Sequence, residues 1–173
     1  MRSGGGKAKG SEFERHVCKQ LSLWITHGKK QDIFWRSAMS GGRATVALNF
    51  DIVLSAQAGD VSAVHEEGYK FTNKYYVEIK FYKDLEYKSL LLNNTGKFAK
   101  FWEHDTCEQA RRYSKLPMFI AKENRQPIMI GLNTIGVQNF GDLRSIAKAR
   151  LFATDLWLVP FEDFLHKASP KRL

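Results

Sequence analysis

The stretch Tyr75 to Lys83, Tyr-Tyr-Val-Glu-Ile-Lys-Phe-Tyr-Lys, constrains the chain more than any other. Its density of β-branched and aromatic residues predicts a strand, and alternate side chains of a strand share a face. Val77, Ile79 and Phe81 therefore point one way, while Glu78 and Lys80 point the other, about 6.6 Å apart along the strand. A carboxylate and an ammonium set among apolar neighbours cost desolvation energy unless they bind each other or a third group. A metal ion beside a phosphate is one such group. Two charges on the solvated face of an edge strand would give the same pattern, so the rest of the chain has to decide.

A chain of 173 residues with 43% hydrophobic and 13% aromatic content is long enough for one domain with its own core. The expected organisation is a flexible, basic, Gly-rich arm over residues 1–10, a single domain over 11–168 and a basic tail over 169–173. No apolar run reaches the eighteen residues of a membrane span, and the N-terminus has no signal-like apolar core, which leads us to expect a soluble, cytoplasmic protein. Cys18 and Cys107 form neither a disulfide framework nor a zinc site, and the five histidines lack ligand spacing. The net charge of +9, with a pI near 9.6, favours a polyanion. Basic residues including Lys9, Arg15, Arg36, Arg43, Arg111 and Arg112 suit the sequence-independent contacts of a phosphate backbone.

Ser11-Glu12-Phe13-Glu14 has the form of a capping box, and Phe13, Val17, Leu21, Trp24 and Ile25 follow at helical spacing, so a helix is expected from Ser11 to about Thr26, ended by His27-Gly28. Glu14 is either a cap partner or a carboxylate at the edge of the sheet-facing stripe, within reach of a metal. Asp32 to Ser37 reads as a strand broken at Ser40-Gly41-Gly42, where the Ser40 hydroxyl could meet a phosphate. Residues 43–58 carry no decisive pattern. Gly59-Asp60 then opens an apolar strand, and Glu66-Glu67-Gly68 reads as a turn, so Asp60 and Glu78 are expected on adjacent antiparallel strands of a hairpin. Neighbouring strands lie about 4.8 Å apart, close enough for two carboxylates to share a divalent cation.

Beyond Lys83, Leu85 to Leu92 and then Phe98 to Lys115 show helical periodicity, with Gln109 and Tyr113 one turn apart. Met118–Ala121 and Ile128–Gly131 read as strands joined by a polar turn, Phe140–Phe152 as a short helix, Leu156–Val159 as a strand and Phe161–His166 as a last helical turn.

A helix carboxylate, then an Asp, then Glu-x-Lys, in helix-strand-strand-strand order, resembles the PD-(D/E)xK nuclease superfamily. The resemblance implies an α/β, restriction-endonuclease-like core (αβββαβ) with a mixed central sheet flanked by helices. Lys9-Gly10-Ser11 with Glu14-Arg15, Arg36 with Ser40-Gly41, Asp60, and Val77-Glu78-Ile79-Lys80 are similar to the Holliday junction resolvases of archaeal and phage type. Gly59 stands where the pattern usually has Pro, and the long segment between Ser40 and Asp60 leaves Asp51 as a rival metal-binding Asp. Gln109 and Tyr113 match the Gln-x-x-x-Tyr pattern of RecB-type exonucleases.

The resemblance implies Mg²⁺-dependent hydrolysis of DNA phosphodiester bonds, with Mn²⁺ as a substitute. Asp60, Glu78, the Ile79 carbonyl and Glu14 would be metal ligands, and Glu14, Ser40, Asp60, Glu78 and Lys80 the catalytic set. Lys9, Arg15, Arg36, Arg43, Gln109 and Tyr113 would hold DNA. A four-way junction as substrate implies a homodimer, and no small-molecule cofactor or membrane is called for; the cytoplasm in question includes that of a phage-infected host. An exonuclease, repair or restriction-type nuclease, and a non-catalytic DNA-binding module, remain as alternatives.

Overall fold

The computed structural model describes residues 5–37, 58–141 and 143–173, so Ser40, Arg43 and Asp51 lie outside the described residues. The first helix, α1 (Gly5–Ile25), buries Phe13, Val17, Cys18, Leu21 and Trp24 along one stripe. It begins ahead of Ser11, so residues 5–10, expected as part of an arm, are helical, and Ser11 and Glu14 sit inside the helix rather than at its cap. The alanine and lysines of this segment are good helix formers, and the buried stripe that follows anchors them. The helix ends as expected: His27 and Gly28 take left-handed φ values of 52° and 84°, and the Gly28 N–H reaches back to the Leu23 carbonyl at 2.7 Å.

Two short strands, β1 (Phe34–Arg36) and β2 (Val61–Ala63), pair antiparallel in a ribbon of their own. Here the expected hairpin fails. Glu66-Glu67-Gly68 is the first turn of a helix, α2 (Glu66–Lys74), which leads into β3 (Tyr75–Tyr82). The acidic first turn and the three-to-four spacing of the buried Gly68, Phe71 and Thr72 are helical features that the glycine disguised. Gly68 is used for contact: a Cβ there would come within 2.9 Å of Phe34, Ala63 and Ile33 side-chain atoms. The ribbon meets β3 through a parallel bridge between Gly59 and Val77, with the Asp60 N–H donating to the Val77 carbonyl at 2.8 Å.

The five-stranded sheet has the order β3-β4-β5-β7-β6, where β4 is Leu116–Glu123, β5 Met129–Leu132, β6 Ala149–Leu151 and β7 Leu156–Pro160. β3 and β4 are parallel and the remaining pairs antiparallel, so the sheet is mixed. A parallel pair needs a crossover. It is supplied by α3 (Tyr87–Asn93), α4 (Lys97–Lys100), a π-helical segment (Phe101–Glu108) and α5 (Gln109–Arg112), the last three running on continuously. The helix expected over Phe140–Phe152 is instead α6 (Thr134–Asn139), followed by a single 3₁₀ turn at Arg144–Ile146 and then β6. Asn133 starts α6 by accepting the Gly136 N–H at 2.8 Å, and the left-handed Gly141 (φ 107°) turns the chain beyond it. The chain closes with α7 (Phe161–Lys167) and a 3₁₀ turn at Pro170–Arg172, held down by the Trp24 indole donating to the Ala168 carbonyl at 2.9 Å.

Both sheet faces are covered, and β3 divides them. Val77 and Ile79 join Met118, Ile120 and Ile130 in a core under α1 and α7, where Trp24, Phe140 and Phe164 rings lie 5.0–5.8 Å apart. The opposite face packs Phe119, Ala121 and Leu158 against Leu90, Phe98 and Trp102. Among the described residues, no helix is long and apolar enough to cross a membrane.

Gly59 is the hinge of this arrangement. Its φ is 90°, and a Cβ would lie 2.6 Å from the Val77 carbonyl oxygen. Gly59→Ala should therefore lower stability by about 2 kcal/mol or more. Gly10→Ala, at a helical position with nothing within 4 Å, should raise it by about 0.5–1 kcal/mol. Denaturant unfolding of both variants checks the pair; a neutral Gly59→Ala would contradict the bridge.

Candidate active site

The outer edge of β3 is where the ribbon and the sheet exchange hydrogen bonds. The Val77 carbonyl accepts from the Asp60 backbone, and the Ile79 N–H donates to Asp60 Oδ2 at 2.7 Å. The Asp60 side chain thus continues the ladder where the β2 backbone leaves it. Val77 and Ile79 turn their backbone polar groups to this edge, and the N–H and C=O of one strand residue point the same way, so the Ile79 carbonyl is directed toward Asp60 as well. The expectation that Asp60 joins the Glu78 strand holds, although the connection is a parallel bridge across α2 and not a hairpin.

Tyr76, Glu78 and Lys80 line the other face of β3. Glu78 accepts the Tyr76 hydroxyl on Oε2 at 3.1 Å, and its Oε1 is engaged by the Lys80 ammonium. Glu78 and Asp60 are both 7% exposed, so neither carboxylate is well hydrated. Burial, then the charge of Glu78, pushes the Asp60 carboxyl up to about 8, against the Ile79 N–H and Lys80, which pull it down. Burial also raises Glu78, with Lys80 and Tyr76 only partly offsetting it. Desolvation works against the Lys80 ammonium, but the Glu78 carboxylate outweighs it and holds Lys80 above its ordinary value. Burial and the two acids likewise push the Tyr76 phenol up.

Two buried, mutually repelling carboxylates and an adjacent backbone carbonyl form a hard-oxygen donor set of the kind that Mg²⁺ or Mn²⁺ takes. Asp60 Oδ1 carries no hydrogen bond among the described residues, which leaves it available to a cation. Among the described residues, no three His, Cys, Asp or Glu side chains are grouped as a ready-made metal cage. A cation here would take its remaining ligands from water, backbone or phosphate, as Mg²⁺ commonly does.

The other sequence-derived candidates fall around this centre. Glu14, on α1, accepts from Arg36 Nε on β1 at 2.7 Å, so these two form an ion pair instead of standing as a free metal ligand and a free cation. They lie near Asp60, since Arg36 pairs with Val61 and the next residue, Ser37, donates its backbone N–H to the Asp60 carbonyl at 2.9 Å. Lys9 and Arg15 lie exposed on α1. Gln109 and Tyr113 belong to the helical crossover beside β3, and the Tyr113 ring stacks on Tyr76 at 6.1 Å and 7°. Ser40 and Arg43 lie outside the described residues. Tyr76 was missed at the sequence level, although its position two residues before Glu78 put it on the same face.

A mixed sheet with helices on both faces, carrying Glu78-x-Lys80 on an edge strand with Asp60 anchored to that strand, agrees with the plan of the PD-(D/E)xK superfamily. Residues 5–165 match the family described as "Phage putative PDDEXK endonuclease", and the chain belongs to that family. No curated protein and no solved structure matches it.

The Asp60 shift carries a pH signature. Its folded pKa, about 8, lies above the ordinary carboxylate value of 3.8, so between those limits the folded state binds more protons than the unfolded one. In cation-free buffer, Asp60 therefore subtracts stability progressively as pH rises from about 4 to about 8. Asp60→Asn keeps an acceptor for the Ile79 N–H and removes the titration. The variant should melt increasingly above the parent across that window; a constant gap would contradict the assignment.

Proposed function

We propose that the protein is a divalent-cation-dependent DNA endonuclease whose centre is Asp60, Glu78, the Ile79 carbonyl and Lys80. The observation that carries this reading is the hydrogen bond from the Ile79 N–H to Asp60, which fixes the first carboxylate against the strand that bears the second. A bound Mg²⁺ would neutralise phosphate charge and acidify a water at this centre. Asp60 and Glu78 hold the charge that attracts it, and their burial excludes bulk water. Lys80, close beside Glu78, offers its ammonium to the scissile phosphate or to the attacking water. Glu14 orients Arg36 at the border of the site, where the guanidinium can hold a neighbouring phosphate. Exposed Lys9 and Arg15 on α1 extend the basic track for the DNA backbone, with Gln109 and Tyr113 on the flank beyond Tyr76.

The finer reading is a structure-selective enzyme cutting four-way junctions as a two-fold dimer. It is favoured by the Lys9-Gly10-Ser11 and Glu14-Arg15 pattern lying on one helix that also carries Arg36's partner. Symmetric incisions need two centres, which a C₂ dimer supplies.

Purified protein with Mg²⁺ should cleave DNA. Lys80→Ala and Asp60→Asn should each lower the cleavage rate by about a hundredfold or more while leaving DNA binding near parental. Wild-type rates in both variants would refute the proposed centre. Equal cleavage of linear duplex and four-way junction would refute the junction preference alone, and degradation from DNA ends would transfer the centre to an exonuclease.

A further inference from the structure

The far edge of the sheet carries a group of residues that the cleavage centre does not use. β6 has a neighbour only in β7, and Arg150 on β6 stands directly opposite Trp157. Residues opposite each other in an antiparallel pair share a face, so these two side chains meet. The Arg150 guanidinium carbon lies 4.6 Å from the Trp157 ring centre and 4.0 Å from that of Phe152, the residue that follows β6. Both rings are close enough to attract the cation and fix its orientation. The two rings differ in their surroundings. Trp157 is packed in the core and donates its indole N–H to the Thr134 hydroxyl at 3.0 Å, so it is a rigid support. Phe152 is 76% exposed, the most exposed of the large apolar side chains among the described residues. Arg150 pairs with no acidic side chain among the described residues, which leaves its N–H donors for an anion. Lys148, also exposed, adds a second positive charge where the same strand begins.

We propose that Arg150, Phe152 and Trp157 form a platform that binds an unpaired DNA strand, apart from the cleavage centre. A base stacks on the open surface of Phe152, and Arg150, oriented by the two rings, turns its N–H groups to an adjoining phosphate. The net charge of +9 and the local pair of cations complement that phosphate. The exposed ring decides for a single strand. Bases within a duplex stack on one another and offer no face to an aromatic side chain, whereas every base of an unpaired strand has one to give. The placement fits a ligand that also reaches the cleavage centre. Cross-strand partners run Val77, Met118, Leu132, Trp157, Arg150, so the platform ends the row that begins beside Glu78, four strand spacings or about 19 Å away. The inference deepens the DNA-cleaving reading, on which the identity of the polymer rests: the substrate carries a single-stranded segment, held at the far edge while the duplex part is held at β3.

Binding measured in EDTA tests the platform without catalysis. Fluorescence anisotropy compares an oligothymidylate of about twenty nucleotides with a blunt duplex of the same length. Phe152→Ala should weaken oligothymidylate binding about tenfold and duplex binding far less, and Phe152→Tyr should restore it. Arg150→Ala should weaken oligothymidylate binding too, and should lower its salt dependence by about one phosphate contact. Ultraviolet cross-linking of the oligothymidylate to the parent protein, mapped by mass spectrometry, should place an adduct on Phe152, a readout that needs no variant to fold. Parental oligothymidylate affinity in Phe152→Ala, equal losses on both DNAs, or adducts confined to other regions of the chain would overturn the platform. A parent that binds oligothymidylate through Phe152 yet cuts no DNA with Mg²⁺ would overturn the nuclease reading and leave the platform standing.

Discussion

The structure depends on one buried carboxylate filling a place in a β-ladder. Asp60 leaves the β1–β2 ribbon, donates its backbone N–H to Val77, and then accepts the Ile79 N–H with its side chain. A strand edge that would otherwise present unsatisfied groups is closed by an acid, and the acid is thereby pinned within electrostatic reach of Glu78. The arrangement sacrifices stability locally, since burial and Glu78 together favour the neutral form of Asp60. On the proposed function, such a cost is expected where the two carboxylates are to attract a hard cation.

The rest of the fold serves that edge. α1 and α2 press the ribbon against β3, with Gly68 allowing close contact to Phe34 and Ala63, and Gly59 allowing the backbone to pass the Val77 carbonyl. β4 and β5 back β3 with a continuous apolar layer, so the strand that bears Glu78 and Lys80 has little freedom to shift. The crossover between β3 and β4 then returns over the polar row of β3, which is how a parallel strand pair places a helical wall beside the site. Membership of a PD-(D/E)xK endonuclease family agrees with this plan from an independent direction.

Much of the plan was legible in the sequence because its signals are local. The β3 row follows from period-two alternation, the α1 stripe from helical spacing, and the α1 stop from His27-Gly28. The failures were long-range or disguised. Gly68 made the first turn of α2 look like a hairpin, because a glycine chosen for close packing is indistinguishable in sequence from one chosen for a turn. Glu14 fitted a capping box, and only the folded chain shows that Arg36, 22 residues away, is its partner. The π-helical segment carries no periodicity that distinguishes it from an α-helix over so short a span.

The central claim is that Asp60 and Glu78 converge on one hard cation with Lys80 alongside. Anomalous diffraction from crystals soaked in Mn²⁺ examines it without reliance on any substrate. The account predicts a single strong anomalous peak bonded to oxygens of both Asp60 and Glu78, with the Lys80 ammonium drawn off Glu78. Manganese bound elsewhere, while the ion pair between Glu78 and Lys80 persists untouched, would contradict it.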